Sequence, residues 1–289
     1  MKFWQSVTCA ETEQLCDIAR FAEDLGFWGL VGADHALYPK RMSPSYPYSE
    51  SGLPPQTAES EYPDMWTSFA AMAAVTTNVK FVCGVYVLPV RNPIEVAKQA
   101  ATLAILSQGR FVLGVGSGWM REEFDIYGID FASRGRRMDE MIEVMQGLWT
   151  GEFFEYPGEF FDFDPIVIRP VSSWPIPIYF GGAAPVALRR AARVGDGWLN
   201  TGNTPEEVPA VLAELARLRE QAGRADLAFD TLIGVYADPD VDLFRRLEDA
   251  GMTSGIHLPF WLAFDGPSTL DQKKKLMEEF AERILRHFP

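Results

Sequence analysis

The chain has 289 residues, 47% of them hydrophobic, and carries a formal net charge of −14. That length fits one barrel-sized domain or two small ones with a substantial core. The acidic balance argues against general affinity for nucleic acid or an anionic membrane, since a polyanion binder needs a basic surface; it leaves room for a small anion held by backbone N–H groups and a few cations.

Lys2 to Thr8 reads as a strand, and "TEQLCDIARFAEDLG" as a helix with apolar residues at Leu15, Ile18, Ala19, Ala22 and Leu25 and a stop at Gly26. "FWGLVG" is the second strand. Residues 33–62, rich in Pro, Ser and Tyr, read as a long loop or lid, since a loop of this length in a compact domain is usually functional or mobile. "DMWTSFAAMAAVTT" is a helix and "KFVCGVYVL" the third strand. Asn92 and Pro93 supply an N-cap and a first helical residue for "NPIEVAKQAATLAILSQG". "RFVLGVG" is the fourth strand, with Arg110 at its lower end, and "RRMDEMIEVMQGLWTG" the next helix.

Residues 151–169 alternate aromatic and acidic side chains around Pro157-Gly158, the pattern of a β-hairpin insertion. Strands at "IPIYFGG", "DGWLN", "LAFDTLIGVYA" and "TSGIHLPF" then alternate with four helices. The sum is eight strand–helix units without a linker, which implies parallel strands with helical crossovers. The expectation is one α/β domain over residues 1–289, a (β/α)8 TIM barrel with a hairpin between units 4 and 5. A doubly wound sheet is the rival. There the glycine-rich turn follows the first strand, whereas "GVGSGW" follows the fourth and spaces its glycines as G-x-G-x-G.

In such a barrel the working face lies at the C-terminal strand ends. Asp34 and His35 end the second strand, Gly116, Ser117 and Gly118 the fourth, Gly181, Gly182 and Ala183 the fifth, and His257 the eighth. His287 lies on the last helix and reads as solvated. The two glycine loops precede helices and suit a phosphate-bearing ligand, through close backbone approach and free N–H groups. The face lacks carboxylate pairs, a nucleophile elbow and a metal-ligand pattern. Cys9, Cys16 and Cys83 show no metal spacing and cannot all pair; Cys16 and Cys83 read as buried reduced thiols. No apolar run approaches the roughly 20 residues that cross a bilayer, and "MKFWQSVTCAETEQ" lacks a signal core, so a reducing cytoplasm is the expected location.

The segments "LGFWGLVGADH", "VYVLPVRNPIEVAKQAATLAILSQGRFVLGVGSGWMREEFDIYGIDFASRGRRMDEMIEVMQGLW" and "PIPIYFGGAAPVALRRAARVGDGWL" resemble the luciferase-like monooxygenase superfamily, in particular its deazaflavin (coenzyme F420)-dependent oxidoreductases. The resemblance implies a ring lying over the barrel mouth. It also implies a non-proline cis peptide behind the ring, at Val85–Tyr86 with Gly84–Val85 as the alternative, so that Gly84, Val85 and Tyr86 join the two glycine loops as cofactor-binding residues. It places His35 and Asp34 near the reactive ring and Trp119 along the substrate pocket or cofactor edge; His257, from its strand end, and Tyr38, from the long loop, are further pocket candidates. In the superfamily's sugar-phosphate dehydrogenases a glutamate follows the strand 4 glycines as proton donor. Here that position is Trp119, and Glu122 and Glu123 read as structural residues of the next helix.

The implied cofactor is coenzyme F420, with FMN as the alternative and hydride transfer to or from a small organic molecule as the reaction. FMN would instead support monooxygenation. The acidic F420 tail would favour cations at the mouth, with Lys40, Arg41 and Arg91 as candidates. Tyr38, Tyr46, Tyr48 and Tyr62 of the long loop are expected to shape the pocket or a subunit interface, and the resemblance suggests a homodimer. Two rivals remain: a non-catalytic flavin-binding barrel, and a cofactor-free isomerase or lyase, which would need an acid/base pair at the mouth.

Overall fold

The computed structural model describes residues 1–43, 46–47, 49, 51–54 and 56–288. In chain order the elements are β1 (Lys2–Ser6), α1 (Leu15–Leu25), β2 (Gly29–Gly32), α2 (Met65–Ala74), β3 (Lys80–Cys83), β4 (Tyr86–Val87), α3 (Pro93–Leu106), β5 (Phe111–Gly116), α4 (Arg121–Ile126) and α5 (Arg134–Trp149). There follow β6 (Phe154–Pro157), β7 (Asp162–Ile166), β8 (Ile178–Gly181), α6 (Pro185–Val194), β9 (Gly197–Asn203), α7 (Glu207–Gln221), β10 (Asp230–Val235), α8 (Val241–Asp249), β11 (Ser254–His257), α9 (Phe260–Phe264) and α10 (Leu270–Arg283).

The parallel strands run β1-β2-β3-β5-β8-β9-β10-β11, and β11 pairs back onto β1, so the sheet closes on itself. This is the (β/α)8 barrel, and β6 and β7 form the antiparallel hairpin between its fourth and fifth units. Helix ends follow local chemistry. Asn92 Oδ1 accepts from the Ile94 N–H at 2.9 Å to start α3, and Gly26 ends α1 in the left-handed region at φ 86°.

The third strand departs from expectation. It is broken after Cys83 and resumes as β4, whose Tyr86 and Val87 pair with Val115 and Gly116 of β5. The thiols depart in part as well: all three are free and Cys83 is buried, but Cys16 is only half-buried.

Each barrel strand sends one side chain into a central plug: Trp4, Val31, Val82, Val112, Tyr179, Leu199, Leu232 and Ile256. The neighbouring residues on each strand point outward into the larger core beneath the helices. Arg110 latches the lower end, its guanidinium donating to the carbonyls of Ser107, Val79, Ala73 and Thr76 and to the Thr76 hydroxyl. One inward step above the plug the strands carry Ser6, Gly84, Gly114, Gly181, Thr201 and Gly234. These small residues leave a cup at the C-terminal end.

The cup tolerates little added volume. A Cβ on Gly114 would lie 1.9 Å from the Cys83 carbonyl oxygen and 2.9 Å from Leu199 Cδ2, and backbone cannot give way as a side-chain tip can. Gly114→Ala is therefore expected to destabilise the fold by about 2–3 kcal/mol in urea unfolding.

Candidate active site

The break in the third strand shapes the floor of the mouth. The cis peptide lies at Gly84–Val85, one residue before the position favoured from sequence. The Val85 side chain is packed onto the central plug. It is held from both sides: a Cβ on Gly116 would meet Val85 Cγ2 at 2.4 Å, and one on Gly181 would meet Val85 Cγ1 at 2.2 Å. Gly116 and Gly181 are thus glycines because Val85 fills the space a side chain would take.

What remains for an anion is Ser117-Gly118 and Gly182-Ala183. Gly118 adopts φ 79° and Gly182 φ 108°, which favour glycine in each case. A Cβ at Gly118 would also press on Phe124 and Val87. Beyond Gly182-Ala183, α6 opens at Pro185 with no side-chain cap on its first turn. Pro185 has no N–H and the Ala187 and Leu188 N–H groups donate to the Ala184 carbonyl, so the first turn offers an anion the helix dipole and the Val186 N–H.

Asp34 and His35 are consecutive, and their side chains diverge. Asp34 turns towards the third unit: both its oxygens accept from Arg91 Nη2 at 2.9 Å, and Oδ2 also accepts the Val87 N–H at 3.1 Å. Burial pushes the Asp34 carboxyl up, opposed by the Arg91 charge; burial would lower the Arg91 guanidinium, and the Asp34 carboxylate outweighs it and raises it. The pair ties the end of β2 to the segment after β4, and Arg91 is not a free cation at the mouth.

His35 turns towards the fourth unit. Its Nδ1 lies 3.3 Å from Glu123 Oε2, while Glu123 Oε1 accepts the Ala36 N–H at 2.8 Å. Glu123 is fully buried and lies on the six-residue helix α4. Sequence reasoning took it for a structural acid; the fold makes it the partner that orients His35. Glu122 holds the long loop instead, accepting the Ser43 N–H at 2.7 Å.

Aromatic rings wall this side. Trp119 stands edge-on to His35 at 5.8 Å and to Tyr46 at 5.0 Å, and Tyr62 meets His35 at 5.7 Å. Residues 33–62 hold no helix or strand among the described residues, and Tyr46 and Tyr62 bring the loop across the mouth. Tyr38 is exposed, and Tyr48 lies outside the described residues. Burial pushes the Cys9 thiol up to about 11, so it is no thiolate nucleophile at neutral pH.

Two expected site residues face the wrong way. Tyr86 points into the helix layer, where its hydroxyl accepts from Trp66 Nε1 at 3.1 Å. His257 follows the inward-facing Ile256, so strand alternation turns it outward, where it stacks on Phe280 at 4.1 Å. Lys40 and Arg41 are exposed. The cations at the glycine loop are Arg121 and Arg134, stacked on Phe131 at 4.6 and 3.9 Å, with Arg134 Nε donating to the Gly118 carbonyl at 3.2 Å. Neither makes an ion pair among the described residues.

The chain belongs to the luciferase-like monooxygenase family of oxidoreductases, whose model matches residues 4–286. It is 38% identical over 273 residues to the uncharacterized protein Rv0940c of Mycobacterium tuberculosis, covering 93% of each chain. It is 31% identical to an F420-dependent glucose-6-phosphate dehydrogenase of Nakamurella multipartita, over 85% of this chain and 69% of that one. It is 30% identical to an FMNH2-dependent dimethylsulfone monooxygenase of Pseudomonas fluorescens, over 68% of this chain and 50% of that one. The coenzyme F420-dependent tetrahydromethanopterin reductase of Methanopyrus kandleri shares the fold at a TM-score of 0.76 and 17% identity, over 100% of this chain and 99% of that one. No helix among the described residues is long and apolar enough to cross a membrane.

The outward burial of His257 has a pH consequence. Burial lowers its pKa from 6.5 to about 3, so below pH 6.5 the unfolded chain binds a proton that the folded chain refuses. The group therefore costs stability as pH falls from 6.5 towards 3 and nothing above 6.5. Relative to His257→Phe, the parent protein is expected to lose up to about 1.4 kcal/mol per pH unit in that window, read by urea unfolding at several pH values.

Proposed function

We propose that the barrel mouth binds coenzyme F420 and that the protein transfers hydride between this deazaflavin and a small organic substrate. One observation carries the reading: Val85, seated between Gly116 and Gly181, gives the cup an apolar floor beneath two loops rich in backbone N–H groups. A flat ring fits that floor, and a phosphate on its side chain fits Ser117-Gly118 and Gly182-Ala183 at the start of α6. When bound, the deazaflavin supplies two-electron hydride chemistry.

In this reading His35 is the proton-handling residue. The Glu123 carboxylate favours the tautomer with hydrogen on Nδ1, which leaves Nε2 as the atom that takes or gives a substrate proton. Asp34, with both oxygens engaged by Arg91 and Val87, positions the His35 segment and does not exchange protons. Trp119, His35, Tyr46 and Tyr62 form an aromatic wall that suits an apolar or aromatic substrate face. Trp119 stands where the sugar-phosphate dehydrogenases carry their proton-donating glutamate, so oxidation of a sugar phosphate by that route is not proposed.

Arg121 and Arg134 favour F420 over FMN. In a chain of net charge −14, two cations beside the phosphate loop, neither in a direct ion pair among the described residues, suit a ligand with an acidic tail.

Titration with oxidised F420, followed by absorbance and fluorescence, is expected to saturate at one equivalent per chain with a spectral change; FMN binding without F420 binding would overturn the choice. Arg121→Glu is expected to weaken F420 binding about tenfold at low ionic strength and less at high salt, with little effect on FMN. In single-turnover assays on a substrate found by screening, His35→Gln is expected to keep F420 affinity and slow hydride transfer by about a hundredfold.

A further inference from the structure

A cavity lies beside the C-terminal ends of the last two barrel strands. It is a cleft of about 240 Å³, open to solvent on one side, between the ends of β10 and β11 and the helices α8, α9 and α10. Its walls are apolar, from Val235, Phe244, Leu258, Leu262, Leu276 and Phe280, and His257 lies among them. Asp238, Glu279 and Arg283 add charged groups to the lining, and Ile256 borders it from the barrel side. Arg283 already donates to the Pro239 carbonyl at 2.9 Å, so it is partly committed.

His257 is held in one orientation and one tautomer. Its ring stacks on Phe280 with 20° between the planes. The Gln5 side chain fixes the proton: Gln5 Nε2 donates to the Ser6 carbonyl at 2.8 Å and the Leu258 carbonyl at 3.4 Å, which turns Oε1 towards His257 Nδ1 at 2.7 Å. An amide oxygen only accepts, so Nδ1 carries the hydrogen and Nε2 is the bare acceptor. Nε2 has no hydrogen-bond partner among the described residues, although the residue is only 8% exposed. The atom itself stays accessible from the cavity that His257 lines, which leaves it open to a ligand donor.

We propose that this cavity is a small-molecule site for a monocyclic, largely apolar compound with one hydroxyl or N–H group, which donates to His257 Nε2. The volume exceeds the roughly 150 Å³ at which an apolar protein cavity takes up benzene. The acceptor within and the acids Asp238 and Glu279 in the lining disfavour a carboxylate or phosphate. Ile256, whose side chain joins the barrel plug, also borders the cavity, while the His257 ring lies in the helix layer against Phe280.

The test compares p-cresol with its methyl ether, 4-methylanisole, which lacks the donor, by calorimetric titration of the full chain. The expected result is about tenfold tighter binding of p-cresol. His257→Phe is expected to abolish that preference while still binding the ether, and Leu276→Trp, which fills the cavity, to abolish binding of both. The chain has three histidines, so ¹⁵N-imidazole spectra give a readout that needs no variant: the Nε2 resonance of His257 should have the unprotonated shift and move on addition of p-cresol. Equal affinity for the two compounds, binding of neither, p-cresol binding unaffected by Leu276→Trp, or a silent His257 resonance while p-cresol binds would each overturn the proposal.

Discussion

Val85 sits at the top of the barrel plug because its neighbours have no side chains. Its two methyl groups occupy the volumes that β-carbons at Gly116 and Gly181 would need. Gly114, one inward position below Gly116, is pressed by the Cys83 carbonyl and Leu199. The break between β3 and β4, the glycine pattern of β5 and the end of β8 are therefore one steric solution. Interiors are packed closely enough that a methyl group's volume decides which residues neighbouring strands can carry. The result is an apolar floor flanked by loops whose remaining glycines, Gly118 and Gly182, take left-handed backbone conformations.

The polar groups of the mouth are arranged around that floor in two pairs. Asp34 reaches to Arg91 and His35 to Glu123, so the end of β2 is tied to both units that follow it. Removing one partner would leave a buried charge or an unoriented imidazole, which is why adjacent residues of similar polarity have different tasks. The long loop is anchored on the same side, through Glu122 to Ser43 and Trp119 to Tyr46. The residue that orients His35 comes from one short helix, and the rings that cover it come from the turn before that helix and from Tyr62 of the long loop.

Much of the architecture was legible from periodicity. Strand–helix alternation gave eight units, and the aromatic-acidic pattern around Pro157-Gly158 marked the hairpin. Local signals in the sequence marked the left-handed glycine at Gly118 and the end of β2 at Asp34 and His35. The site was not legible where side chains meet across the barrel. Glu123 reads as one more acid on an acidic helix, and only closure of the barrel sets it against a histidine 88 positions away. His257 looked like a mouth residue because it ends a strand; its orientation depended on the inward residue being Ile256. Gly116 and Gly181 looked like ligand loops because nothing in the sequence shows that Val85 lies between them.

The central claim is that Val85 is the surface against which the cofactor ring rests. The most direct test is a methyl-resolved NMR titration of valine-labelled protein with oxidised F420. A ring stacked on the floor should shift the Val85 methyl signals more than those of Val31, Val82 and Val112 deeper in the plug. F420 binding that leaves the Val85 methyl signals unchanged would contradict the account.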